Sequence, residues 1–339
     1  MAKQMRVGVV GCGKIARVRH VPEIEGARGG KVVALCDPVI KRAEALREEQ
    51  VPNAGVYADF EEMLGADLDA VSICTPNNLH YPMTMAAFKK GLHVICEKPI
   101  AGTLGEASRM IAAAKKAGKV LHVNQSLRFN ALYLTIADLI QKGKVGEPIH
   151  LRCIRGGSST PDKGWSPGAT WFVSKAAQGG LTLDIAIHMA DVLRWYAGPA
   201  AEIAALVDTR TEGIDVPDNV NALLRFQSGA TAVLELSWTL PVGGSLLEIY
   251  GTEGRIRTGF TTQPIELTLP AGKGGKPRVS YPAVKKNVKN GFQHFIEEVQ
   301  GKAPSPTPGE LGRDALALCV AIENSAKTGR VAKVKTFSD

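Results

Sequence analysis

A short apolar run, Met5-Arg6-Val7-Gly8-Val9-Val10, breaks into Gly11-Cys12-Gly13 and then into Lys14-Ile15-Ala16, where a helical pattern opens. Such a start commits a chain to a strand, a tight glycine turn and a helix. Gly11 permits the turn, Gly13 lets the backbone approach a pyrophosphate with no Cβ in the way, and Ala16 lets the helix pack on its strand. The N–H groups at the helix start, around Gly13, Lys14 and Ile15, are placed to hold phosphates. A second apolar run, Val32 to Cys36, ends in Asp37, about 20 residues on, where a carboxylate accepts from ribose hydroxyls and repels a 2′-phosphate. The expected cofactor is therefore NAD rather than NADP.

Up to residue 124 apolar runs at 68–74, 92–96 and 120–123 alternate with helical segments at 39–50, 79–90 and 104–117. That alternation predicts a parallel sheet with helices on both faces, ligands binding beyond the carboxyl ends of its strands. Those ends carry Gly11, Asp37, Thr75-Pro76-Asn77 followed by His80, Glu97-Lys98-Pro99, and Asn124. Beyond 125 the pattern changes. A helix at 131–142, a strand at 149–155 and a Gly/Ser/Pro-rich loop at 156–170 lead to a strong helix at 181–197. Strands at 203–210, 220–226, 230–238, 246–250 and 256–258 follow without intervening helices, with turns at Ser228-Gly229 and Glu253-Gly254. Helices at 288–300 and 310–328 and a strand at 331–334 close the chain. The expectation is an α/β protein with an N-terminal Rossmann domain, 1–124, and a C-terminal α+β domain, 125–339, built on a mostly antiparallel open sheet. The helix at 310–328 is a candidate to pack back on the first domain.

The net charge of +8 is evenly spread, 17 Lys+Arg against 13 Asp+Glu up to residue 124 and 24 against 20 after it. The densest cluster, Lys273 to Lys289, has little aromatic interleaving and reads as a solvated loop and helix face, so no nucleic-acid partner is expected. No run approaches 18 apolar residues, and Met1-Ala2-Lys3-Gln4 leads straight into the first strand, so neither a membrane span nor a signal peptide is expected. Six cysteines without C-x-x-C spacing point to reduced thiols and a cytoplasmic setting.

Lys98 stands past a strand end, where a nicotinamide is expected and where its ammonium can donate to a substrate oxygen. In Gly179-Gly180-Leu181-Thr182-Leu183-Asp184-Ile185-Ala186-Ile187-His188, Asp184 and His188 lie four apart and interrupt an apolar helix, on one face of it. Histidine suits proton transfer near neutral pH, though a hydrogen-bonded core histidine answers the same pattern. With no second histidine near, no metal site is expected.

Together Gly11–Ala16, Cys36-Asp37-Pro38, Thr75 to His80, Glu97-Lys98-Pro99, Arg128-Phe129, Trp171-Phe172 and Gly179 to His188 make the chain resemble the Gfo/Idh/MocA oxidoreductases. It departs from the family at Gln178, where the first of three glycines usually stands, and at Ala186, often glycine. The resemblance implies hydride transfer between NAD and a secondary hydroxyl or ketone of a sugar, sugar derivative or cyclitol. His188 would be the general base or acid, Asp184 would orient it or contact substrate, and Lys98 would bind the reacting oxygen. Arg128, Trp165 and Trp171 would join Lys98, Asp184 and His188 around the substrate, in a cleft between the domains that the loop at 156–170 helps close. Gly11, Gly13, Lys14, Ile15, Asp37, Thr75, Pro76, Asn77, His80, Glu97, Lys98 and Asn124 would hold the cofactor. The resemblance further implies a cis Lys98–Pro99 bond and a homodimer or homotetramer formed through the second sheet. Two rivals share the fold, a glycoside hydrolase that uses bound NAD for transient oxidation and a non-catalytic dinucleotide sensor. The joint presence of Lys98, Asp184 and His188 argues against the sensor.

Overall fold

Glycine-flanked, valine-rich runs become the strands, as their burial on both faces requires. The computed structural model describes residues 4–272 and 275–335; Met1 to Lys3, read as the lead-in to the first strand, and Lys273, first of the basic cluster, lie outside the described residues. Two compact units emerge, one of residues up to Ser126 with Lys289–Arg313, the other of Leu127–Val288 with the residues from Asp314 on. The sequence boundary stands at 124, with the helix at 310–328 a candidate to pack back on the first domain; here residues 289–313 fall in the first unit and those from Asp314 on in the second.

The first unit holds β1 (Met5–Val10), β2 (Gly30–Cys36), β3 (Gly55–Tyr57), β4 (Ala70–Ile73), β5 (His93–Glu97) and β6 (Leu121–Asn124) in one parallel sheet, order β3-β2-β1-β4-β5-β6. This is the doubly wound order, with its switch point between β1 and β4. Val7, Val9, Leu35, Phe292, Phe295 and Ile296 share one buried core, so the helix Gly291–Val299 belongs to it. The helix Leu104–Ala117 starts where Thr103 and Glu106 form a reciprocal capping box and stops at Gly118, whose φ of +61° is the left-handed cap.

The second unit holds β7 (Pro148–Gly156), β8 (Ala200–Asp208), β9 (Asn219–Phe226), β10 (Thr231–Ser237), β11 (Gly244–Gly251), β12 (Gly254–Thr258), β13 (Glu266–Leu269), β14 (Arg278–Ser280) and β15 (Ala332–Lys333). They form one sheet, order β14-β13-β12-β11-β7-β10-β9-β8-β15. All pairings are antiparallel except β7 with β10, which run parallel. Along β9, Ala222, Leu224 and Phe226 are buried while Asn221, Leu223 and Arg225 are exposed, the alternation of a sheet covered on one face. The helix Ile187–Ala197 packs against β7 and the helix Ala131–Gln141.

Candidate active site

In the first unit every residue expected at the cofactor stands at or just beyond a strand's carboxyl end. Gly11 turns with φ +87°, its N–H donating to the Cys36 carbonyl at 2.8 Å, and a Cβ there would meet the Cys74 carbonyl oxygen at 2.7 Å. Only glycine fits. Gly13 and Lys14 are exposed, Ile15 is half-buried, and a Cβ on Gly13 would project into open space. Asp37 is buried, its two oxygens accepting from the Cys12 and Val39 N–H groups at 2.9 Å each, which locks the β2 carboxylate to the glycine turn. The helix expected after the turn is wound as a π turn over Ala16–His20 before it becomes α-helical at Val21–Gly26. π turns concentrate at functional sites.

That turn delivers His20, which the sequence reading passed over. Fully buried, its ring nitrogens lie 2.7 Å from Ser72 Oγ on β4 and 2.7 Å from Glu97 Oε1 on β5. Asn124 Nδ2 on β6 donates to the same Glu97 oxygen at 2.7 Å, and Glu97 Oε2 accepts from the Lys98 N–H at 3.2 Å. Burial opposes charge on both partners. The neighbouring Cys74 thiol and the Glu97 carboxylate outweigh it at His20, raising its pKa to about 10. At Glu97 the hydrogen bond and charge of His20, with Lys98 and Asn124, outweigh burial and lower it to about 2. Glu97 and Asn124 thus face inward and anchor the turn that presents half-buried Lys98, followed by the cis Lys98–Pro99 bond.

His80 is fully buried too, its ring nitrogens 2.7 Å from the Pro99 carbonyl oxygen and 3.0 Å from that of Thr75. It ties the Lys98-Pro99 turn to the Thr75-Pro76-Asn77 loop, and burial lowers its pKa against those hydrogen bonds. Asn77 is buried and Pro76 half-buried. Among the described residues, three buried side chains at these strand ends keep polar atoms without a hydrogen-bond partner: Thr75 Oγ1, Asn124 Oδ1 and both amide atoms of Gln125. A polar ligand at the carboxyl edge answers that need. Together with the open space over Gly13 and the Asp37 carboxylate, it fits a dinucleotide.

In the second unit the Asp184–His188 spacing is not that of one α-helix. Asp184 lies in a π turn, Thr182–Ala186, and His188 in the helix Ile187–Ala197 that continues it. The π turn adds a residue to the local winding, in place of the uniform α-helix expected there. Both side chains are half-buried. The chain ahead of the π turn is tightly packed: Trp171 stacks on Phe172 with ring centroids 3.7 Å apart, and a Cβ on Gly179 would lie 2.5 Å from the Trp171 carbonyl oxygen. Gln178 keeps the left-handed φ, +57°, that a glycine would adopt freely. Trp165 is exposed in its loop. Arg128, expected at the substrate, is held by buried Asp191 through Nε and Nη2 at 2.8 and 2.9 Å. A bidentate pair of this kind fixes the guanidinium. Among the described residues no cluster of His, Cys, Asp or Glu is suited to a metal ion.

Residues 5–125 match the family described as "Oxidoreductase family, NAD-binding Rossmann fold", and 133–257 match the "GFO/IDH/MocA C-terminal domain". The chain is 33% identical to the 1,5-anhydro-D-fructose reductase of Ensifer adhaerens, over 98% of this chain and 99% of that one. It is 27% identical to the myo-inositol 2-dehydrogenase of Thermotoga maritima, again over 98% and 99% of the two chains. An oxidoreductase from Agrobacterium radiobacter, solved with NAD+, L-tartaric acid and magnesium, shares the fold at TM-score 0.86 and 23% identity, over 98% of this chain and 99% of that chain. Glycine turn, buried Asp37 and Lys98 turn thus stand in a chain that belongs, along its whole length, to the Gfo/Idh/MocA family of NAD-binding oxidoreductases.

Proposed function

We infer that this protein is an NAD-dependent oxidoreductase that moves hydride between the nicotinamide and a secondary hydroxyl or ketone of a sugar, sugar derivative or cyclitol. The observation that carries this reading is the Glu97-Lys98-Pro99 turn, anchored from inside by His20 and Asn124, at the same sheet edge as the Gly11 turn and Asp37. The bound dinucleotide supplies the hydride acceptor or donor. His188 takes the hydroxyl proton during oxidation and returns it during reduction, the task for which imidazole is suited near neutral pH. Asp184 steers that imidazole or a substrate hydroxyl, and Lys98 donates to the reacting oxygen. Trp171, stacked on Phe172, offers an aromatic wall for a sugar ring; Trp165 and the surrounding loop shield the substrate. Backbone N–H groups around Gly13, Lys14 and Ile15 hold the pyrophosphate, and Asp37 accepts from the adenosine ribose.

The exposed face of the second sheet carries Leu206 and Leu223, 78% and 60% exposed, which supports a homodimer or homotetramer joined through it. Light scattering at micromolar protein checks this, a monomeric mass overturning it. A cytoplasmic setting fits six cysteines buried as thiols, and among the described residues no helix is long and apolar enough to cross a membrane.

The function is tested by following NAD reduction at neutral pH over inositols, hexoses, sugar acids and nucleotide sugars, with 1,5-anhydro-D-fructose and NADH in the reverse direction. Net turnover of the dinucleotide with one of them is the expected result. Release of a sugar from a glycoside without net NADH would instead establish the hydrolase reading.

A further inference from the structure

Within the second unit, arginines near carboxylates are paired. Arg128 grips Asp191, Arg152 meets Glu235 at 3.4 Å, Arg225 meets Glu202 at 3.0 Å, Arg257 meets Glu266 at 2.7 Å, and Arg194 meets Asp314. Arg155 differs. It lies three residues along β7 from Arg152, an odd spacing that puts it on the opposite face, the one that buries Leu151 and Cys153. There it lines a half-open cavity of about 290 Å³ bounded by β7, β11, the helices carrying Tyr133 and Met189, and the loop 258–264. The lining contains no Asp or Glu, and among the described residues Arg155 has no ion-pair partner. The polar groups around it are neutral: the Tyr133 phenol, the hydroxyls of Ser245, Thr261 and Thr262, and the Gln263 amide. Ser245 sits directly opposite Arg155 across the β7–β11 ladder.

A guanidinium drawn partly out of water needs an oxyanion to restore its solvation, and its fork of donors suits carboxylate and phosphate. Neutral hydroxyls alone do not supply it. The volume is at the lower end of the ~300–1,000 Å³ range of small-molecule sites, enough for part of a monosaccharide. Met189, which lines the cavity, is the residue after His188, so the cavity adjoins the helical turn that carries the proposed proton acceptor.

We propose that this cavity binds the oxyanion of an acidic carbohydrate, a sugar carboxylate or sugar phosphate, with Arg155 as the charged anchor and Tyr133 and Ser245 completing its hydrogen bonds. The proposal rests on the carbohydrate reading above for the uncharged remainder of the ligand; the anion rests on Arg155 and its lining.

The test is calorimetric titration of the full chain at saturating NAD with D-glucuronate, D-glucose 6-phosphate, D-glucose and inorganic phosphate, for wild type, R155Q and R155K, whose folding is checked by thermal melts. One of the two acidic sugars should bind wild type at least about tenfold more tightly than glucose and than inorganic phosphate, the strength of a charge-assisted hydrogen bond. Whichever does so identifies carboxylate or phosphate as the group recognised. R155Q should abolish the advantage, and R155K, with charge but no fork, should keep part of it. Equal affinity for charged and uncharged sugars, inorganic phosphate binding as tightly as either acid, or an advantage that survives R155Q overturns the proposal. If R155Q does not fold, the wild-type ranking and the R155K titration decide. A charge preference without NAD reduction by any sugar sinks the oxidoreductase reading and leaves this one standing; reduction by neutral sugars without charge preference does the reverse.

Discussion

The two units build their sites by different means. In the first, backbone carries most of the arrangement: a glycine turn with a positive φ, exposed residues after it, and buried side chains that hold the turns rather than face solvent. In the second, the candidate groups are half-buried side chains on an irregular helix, and one left-handed position belongs to a glutamine. Backbone sites are fixed by steric necessity and so leave a motif. Side-chain sites leave single residues whose partners the sequence does not name.

If that contrast holds, the largest loss comes from the second unit. His188→Ala should cut kcat by roughly 10²–10⁴-fold, the effect of removing a general acid–base group, while NAD affinity measured by tryptophan fluorescence barely moves. Retained turnover would make His188 structural and shift the proton to Lys98.

The first unit should lose stability before specificity. His20→Ala removes the charged partner of the buried Glu97 carboxylate and leaves it only the Asn124 and Lys98 donors, costing up to about 3–5 kcal/mol, measured by urea unfolding. It should also lower kcat, because Glu97 positions Lys98, and His20→Gln should restore part of both. In wild type the pair's contribution has two edges. With its pKa raised from 6.5 to about 10, His20 contributes fully below 6.5 and loses its contribution as pH rises through about 10. Glu97, lowered from 4.5 to about 2, contributes fully above 4.5 and loses its contribution as pH falls through about 2. The contribution should therefore be greatest between these limits, and unfolding curves for wild type and His20→Ala should converge outside them.

Cofactor choice should follow Asp37. NAD should bind at least about tenfold more tightly than NADP, an unpaired 2′-phosphate beside a carboxylate costing 1.4 kcal/mol or more, and Asp37→Ala should narrow the gap. Equal binding would mean that Arg42, 3.9 Å from Asp37, neutralises it.

The smallest effect sharpens the contrast most directly. Gln178→Gly should stabilise the second unit by about 1 kcal/mol by relieving its left-handed backbone. Destabilisation would show that the glutamine side chain outweighs the strain.

The same contrast explains what was legible. Apolar alternation yielded all the long strands of the first sheet, because each is buried on both faces, and the glycine motif located the turn. The parallel β7–β10 pair was missed because turn signals read successive strands as neighbours, while β7 is separated from β10 by the helix Ile187–Ala197 and two strands. Strands β13 and β14 lie in a Gly- and Pro-rich stretch whose composition argues against strand. The π turns have no compositional signature, so the winding at Ala16–His20 and Thr182–Ala186, and with it His20's place in the interior, stayed hidden. Arg128 is expected at the substrate through the family resemblance, and nothing in the sequence joins it to Asp191, 63 positions on.

The return of Gly291–Val299 to the first core bears on how the chain is made. Phe292, Phe295 and Ile296 complete a hydrophobic core begun by Val7 and Val9, yet more than 160 residues of synthesis separate Ser126 from Lys289. At ribosomal rates that is a delay on the order of ten seconds or more. The usual order, with the amino-terminal part folding first as it emerges, is thus delayed: the nascent nucleotide-binding sheet lacks part of its core until Gly291–Val299 leaves the tunnel.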